Sequence, residues 1–153
     1  MTSRSGGPAW RWGNIPVPEA HLAGLGTGIL LQVVRPWSLP WPGWAGQGLG
    51  WPLILAGLGL GAWAVRAAAD VNLERPDELV VRGPYGYSRN PMYLAWTLGY
   101  VGVALVAGTV WPLLLLPIVL AATQVAVMRE ERVLEGRFGA AYRRYKASVR
   151  RYL

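Results

Sequence analysis

The sequence has no cysteine, which excludes disulfides and thiolate metal sites. It has a single histidine, His21, which excludes a metal site built on several imidazoles. Charge is also scarce: Asp, Glu, Lys and Arg make up 15% of the 153 residues, too few for a typical soluble domain. Met1 to Glu19 lacks the basic start, short apolar core and small-residue cleavage site of a secretion signal. It is expected to remain as a polar tail that brings Trp10 and Trp12 to a membrane interface.

Apolar residues are abundant, at 53%, with nine Trp, twenty Gly and twelve Pro. Gly and Pro are commoner in membrane helices than in soluble ones, and Trp collects at the interfaces. The net charge of +7 would suit nucleic acid or an anionic membrane face. Because the basic residues flank apolar runs, the reading is a membrane and no nucleic acid.

Four apolar runs predict an all-α, polytopic membrane protein with four transmembrane helices in one domain. After the tail at 1–19, the first two spans occupy 20–69. The first, Ala20 to Val34, is short for a span of about 20 residues and extends through Pro36 to Leu39. The second runs from Leu49 to Ala69, after a turn rich in Pro and Trp. A polar loop at 70–90 follows, long enough to suggest function. The hairpin at 91–128 turns at Gly108-Thr109, with spans over Pro91 to Val110 and Trp111 to Met128. Residues 129–153 are predicted as an amphipathic basic helix, with Leu134, Phe138, Tyr142, Tyr145, Val149 and Tyr152 on one face. Of the 15 basic residues, 14 lie in the tail, the middle loop and the C-terminal segment or beside them; only Arg35 lies on the other side. The positive-inside rule then predicts residence in the cytoplasmic membrane with both termini cytoplasmic.

Three polar or small-residue features stand out. Gly57-Leu58-Gly59-Leu60-Gly61 lets a helix, including one from a second copy in a homodimer, or a ligand approach the backbone. Gly83-Pro84-Tyr85-Gly86-Tyr87-Ser88-Arg89-Asn90-Pro91-Met92-Tyr93 opens the third span, and Arg129-Glu130-Glu131-Arg132 closes the fourth. A hairpin makes these two ends neighbours. Carboxylates at a membrane boundary are costly unless paired or used. Glu130 and Glu131 either pair with Arg89, Arg129 or Arg132, or grip a polar, partly cationic small molecule roofed by tyrosines.

From about Val71 onward, these motifs, with Phe138-Gly139-x-x-Tyr142-x-x-Tyr145 after them, resemble the integral-membrane methyltransferases. That group contains isoprenylcysteine carboxyl methyltransferases and phospholipid N-methyltransferases. The resemblance implies S-adenosylmethionine as cofactor and a lipid-like acceptor drawn from the bilayer. It implies that Tyr85, Arg89, Asn90, Pro91 and Tyr93 line the cofactor pocket. It also implies that Glu130 and Glu131 hold the donor's polar end, either one serving as base if the acceptor is an amine. A Gly-x-Gly on the preceding helix matches Gly57/Gly59 or Gly59/Gly61. Asn90 stands where isoprenylcysteine enzymes usually have His, and Ala126 where they tend to have Arg one turn before the Glu pair. Both departures lean toward the phospholipid branch, whereas the Phe138 to Tyr145 pattern leans the other way, so carboxylate and amine acceptors both remain open. Two further readings compete. One is an NADPH-dependent membrane reductase whose 2′-phosphate would sit among Arg143, Arg144, Arg150 and Arg151. The other is a non-catalytic membrane scaffold.

Overall fold

The computed structural model describes residues 17–69, 71 and 78–152. The expected interfacial tail with Trp10 and Trp12 lies outside the described residues, as do Asp70, Glu74, Arg75 and Asp77 of the loop. The described residues are all-helical, with no named strand. In order they form α1 (Glu19–Val34), α2 (Gly43–Ala67), a 3₁₀ turn (Gly83–Gly86), α3 (Pro91–Val106), α4 (Trp111–Phe138) and α5 (Ala140–Ser148).

Two of these helices, α2 with 25 residues and α4 with 28, are long and apolar enough to cross a membrane. The other two expected spans, α1 and α3, are apolar but only 16 residues each. At 1.5 Å per residue that is about 24 Å, against about 30 Å of hydrocarbon. The expected Pro- and Trp-rich turn is also shorter than the sequence suggests, because α2 starts at Gly43.

The α2–α3 pair is held by glycine. A Cβ at Gly46 would lie 2.5 Å from the Leu105 carbonyl oxygen, one at Gly50 2.6 Å from that of Gly102, and one at Gly57 2.7 Å from that of Ala95. The partners run in opposite order, so the helices are antiparallel and their backbones touch. Lipid tails are as apolar as leucine, so association in a bilayer depends on such close packing rather than on burying apolar surface. Bulky residues accordingly point outward: Val33, Val34, Leu55, Leu58 and Ile118 are all exposed. Gly24 and Gly28 seat α1 against Val119 and Pro112 of α4 in the same way.

The two tight turns meet at one end of the bundle. Leu39 N–H donates to the Gly108 carbonyl (2.8 Å) and Val110 N–H to that of Trp37 (3.0 Å). The Thr109 hydroxyl donates to Gln32 Oε1 (2.8 Å), and Trp111 Nε1 to the Arg35 carbonyl (2.8 Å). Gly108 takes φ +64°, the left-handed conformation that glycine adopts at least cost. The loop before α3, the end of α4 and the C-terminal residues therefore gather at the opposite end.

The continuous C-terminal helix expected over 129–153 is interrupted. Residues 129–138 prolong α4, and Gly139 breaks the chain with φ +51°. After α5, Val149 is extended (φ −124°, ψ 132°) and the chain folds back.

Gly50→Val forces a branched side chain into the Gly102 backbone and is expected to lower the stability of the bundle by about 1–3 kcal/mol. Gly59→Val, at a position with open space around it, is expected to leave stability almost unchanged. Thermal unfolding of the two variants in detergent compares them directly.

Candidate functional site

The site is built where α3 begins and the apolar part of α4, residues 111–128, gives way to charge. Gly83 opens the 3₁₀ turn at φ +60°, against Ala67 and Trp63 of α2. This turn drops Tyr85 between two small clusters, one of Ala64, Val65 and Met92 and the other of Ala68, Val71 and Val80. Burial, with Glu130 adding to it, pushes the Tyr85 hydroxyl up to about 12. Pro91 then starts α3, where a missing N–H costs nothing.

The adjacent carboxylates part company, because successive residues on a helix point about 100° apart. Glu131 is buried (5% exposed) between two guanidiniums. Arg89 reaches its Oε1 through Nε (3.2 Å) and Nη2 (2.9 Å). Arg151 reaches Oε1 through Nε (3.0 Å) and Oε2 through Nη2 (2.9 Å). Arg89 also donates from Nη1 to the carbonyls of Lys146 (2.9 Å) and Val149 (3.1 Å). Burial favours the protonated Glu131, but the hydrogen bonds from Arg151 and the nearby charge of Arg89 outweigh it, holding the carboxyl below its usual range.

Backbone bonds complete this clasp. Arg89 N–H donates to the Arg150 carbonyl (3.0 Å), while the Ser88 hydroxyl (3.2 Å) and Asn90 Nδ2 (3.1 Å) both donate to that of Arg151. The Tyr145 hydroxyl donates to the Tyr85 carbonyl (2.7 Å). Tyr142 is buried at 1% exposure, and burial pushes its hydroxyl up to about 12. The tyrosine face expected to lie on a membrane therefore packs at this end of the protein.

Glu130 faces elsewhere and accepts a hydrogen bond from the Tyr93 hydroxyl (2.6 Å). An apolar cavity of about 420 Å³ runs between α1, α2 and α3, bordered by Gly57, Gly61, Met92 and Ala95 among others. The expected site residues thus fall into groups. Arg89, Asn90 and Glu131 join the clasp, Pro91 is buried beside it, Tyr93 and Glu130 meet, and Gly61 borders the cavity. Gly59 faces open space away from it. Of the four arginines proposed for a 2′-phosphate, Arg151 is bonded to Glu131. Sequence reasoning missed Arg151 as a partner of Glu131, since nothing in its spacing separates it from Arg150. It also missed Ser88, and the pairing of His21 with Thr97 at 3.0 Å, which two separate helices bring together.

Residues 47–141 match the family model described as phospholipid methyltransferase. The match spans Gly59, Gly61, Tyr85, Arg89, Asn90, Pro91, Tyr93, Glu130 and Glu131 and stops short of Tyr142, Tyr145 and Arg151. A Haemophilus influenzae protein described only as uncharacterized is 45% identical over 60 residues, 39% of this chain and 86% of that protein. No solved structure gives a significant match.

Because the Glu131 carboxyl titrates lower in the folded protein, its stabilising contribution is complete above the ordinary value of 4.5 and is lost as pH falls through the lowered one. Acidification through that window is expected to lower the protection factor of the Arg89 amide, which bonds to Arg150, with the intrinsic pH dependence of exchange divided out. Glu131→Gln is expected to have the same effect at neutral pH, with the local opening free energy reduced by on the order of 3 kcal/mol because two guanidiniums lose their counter-ion. Amide exchange read by mass spectrometry measures both.

Proposed function

Because the chain belongs to the phospholipid methyltransferase family, we propose that it transfers a methyl group from S-adenosylmethionine to a lipid-like acceptor taken from the bilayer. The observation that carries this reading is the meeting of Tyr93 and Glu130 at the start of α3, one residue after Met92, which with Gly61 borders the apolar cavity. All four residues lie within the matched region. In this reading α1 to α4 each serve as a membrane segment, with both termini and the clasp on the cytoplasmic side, where a water-soluble donor arrives.

The residues suit the donor. A carboxylate has about four lone-pair sites, and Tyr93 takes one of them at Glu130, so the same carboxylate can also accept from an ammonium group. Gly61 keeps the α2 backbone open to an approaching ring. When bound, the sulfonium supplies an activated methyl whose C–S bond breaks as the new bond to the acceptor forms. The protein aligns the two partners at near-contact distance and keeps water away. With an amine acceptor, Glu130 takes the proton. Arg89, Asn90 and Glu131 act as the frame that fixes the start of α3, and with it Tyr93.

Glu130→Gln removes the charge that faces the donor and is expected to weaken S-adenosylhomocysteine binding by about tenfold or more, as loss of a charge-assisted hydrogen bond implies. Tyr93→Phe is expected to weaken it by several-fold. Calorimetric titration of the purified protein reads both, and an unchanged affinity in Glu130→Gln would overturn the assignment. Incubation with methyl-labelled donor and a lipid extract identifies the acceptor by mass.

A further inference from the structure

The cavity between α1, α2 and α3 is elongated. Val65 and Met92, which pack together near the start of α3, border one end, and Ile54 and Val103 border the other. Met92 and Val103 lie eleven residues apart on α3, or about 16 Å along its axis. Spread over that length, the volume of about 420 Å³ gives a mean cross-section of about 26 Å², the girth of one alkyl chain rather than two. An α-helix, about 10–12 Å wide with its side chains, does not fit. The cavity opens sideways. α1 packs on α4 and α2 on α3, and Leu22 of α1 and Leu58 of α2 border the cavity while remaining 54% and 66% exposed.

The wall offers a ligand almost nothing polar. His21 Nε2 meets the Thr97 hydroxyl (3.0 Å), the Tyr100 hydroxyl donates to the Pro112 carbonyl (2.8 Å), and His21 Nδ1 and Trp96 Nε1 are buried within the wall. A charged or hydrogen-bonding group drawn deeper than Gly61 would lose its hydration with no partner, whereas methylenes have none to lose. Gly99 keeps the trough clear, since a Cβ there would meet nothing within 4 Å. The length also has a counterpart. The hydrocarbon core is about 30 Å thick, so one leaflet contributes about 15 Å, and the trough runs about that far from the end of α3 where the site lies. A lipid of that leaflet enters sideways at its own depth, with no polar group drawn inward. We infer that the trough holds one acyl chain of a lipid from the leaflet on the clasp side, laid along α3 with its head beside Met92, one residue before Tyr93. This deepens the methyltransferase reading and rests on it for the placement of α3 in the membrane and for the lipid's role as acceptor.

Photolabelling reads the trough directly. The full chain is placed in phosphatidylcholine nanodiscs doped with phosphatidylcholine that carries a diazirine either near the head or at the end of one acyl chain, and the labelled residues are identified by mass spectrometry. The head-proximal diazirine is expected to label Met92 and the terminal one Ile54 and Val103, while both label the exposed Val33 or Ile118 from the surrounding bilayer. Gly99→Phe places a ring in the open space of the trough and is expected to abolish labelling of Ile54 and Val103 while that of Val33 and Ile118 persists. Labelling confined to Val33 and Ile118, a reversed order at Met92 and Val103, or undiminished labelling of Val103 in Gly99→Phe would each overturn the inference. The order in the unaltered chain carries the test by itself if the variant does not fold. S-adenosylhomocysteine titrated into the same nanodiscs reads the donor site separately. Its failure to bind, with trough labelling intact, overturns the methyltransferase reading and leaves the chain site standing; binding without trough labelling overturns the chain site alone.

Discussion

One buried carboxylate ties the start of α3, the end of α4 and the segment after α5 together. Glu131 lies between Arg89 at the start of α3 and Arg151 in the last residues of the chain. Removing either guanidinium leaves charge buried with poorer compensation, and removing the carboxylate leaves two cations facing each other. Burying these three charges is costly unless each is paired, and here the one carboxylate meets both guanidiniums. It fixes where α3 begins, and hence the height at which Tyr93 meets Glu130 one residue away on α4.

That division between neighbouring glutamates was only half legible in the sequence. The doublet at the end of an apolar run, and the arginine beyond a predicted hairpin, both pointed to a polar junction, and the fold supplies it. Which glutamate pairs with the arginines and which meets Tyr93 depends on the rotation of α4 about its own axis. No spacing rule gives that angle when the helix is apolar on nearly every side. Gly57 and Gly59 show the same limit. Both belong to one small-residue run, yet Gly57 touches α3 and Gly59 faces away. The periodicity that separates inside from outside in a soluble helix is missing, because lipid and protein interior are equally apolar.

The C-terminal segment was misread for a different reason. Its aromatic residues repeat at helical spacing, which suggested a helix lying on the membrane. Gly139 interrupts the repeat with a conformation open mainly to glycine, and the tyrosines beyond it turn inward. A single glycine among strong helix formers is a weak signal on its own, and the arginines around it suit a solvated face equally well. The membrane character, the all-helical class and the family were by contrast legible from composition and motif, since they depend on solvent and chemistry rather than on rotation about an axis.

The paired turns at the far end bear on hydrophobic mismatch. A helix of 16 residues ends several ångströms short of full hydrocarbon thickness, and the peptide groups of the turn that follows would then lie in a medium that offers them no partner. Here two such turns satisfy one another: Gly108 and Trp37 accept from Leu39 and Val110, and Gln32 takes the Thr109 hydroxyl. With α1 and α3 as membrane segments, the reading proposed above, the bilayer would need neither to thin nor to hydrate those groups. In that four-segment reading the two short helices are tolerable only as a pair, and lengthening one of them alone would strand the turn of the other.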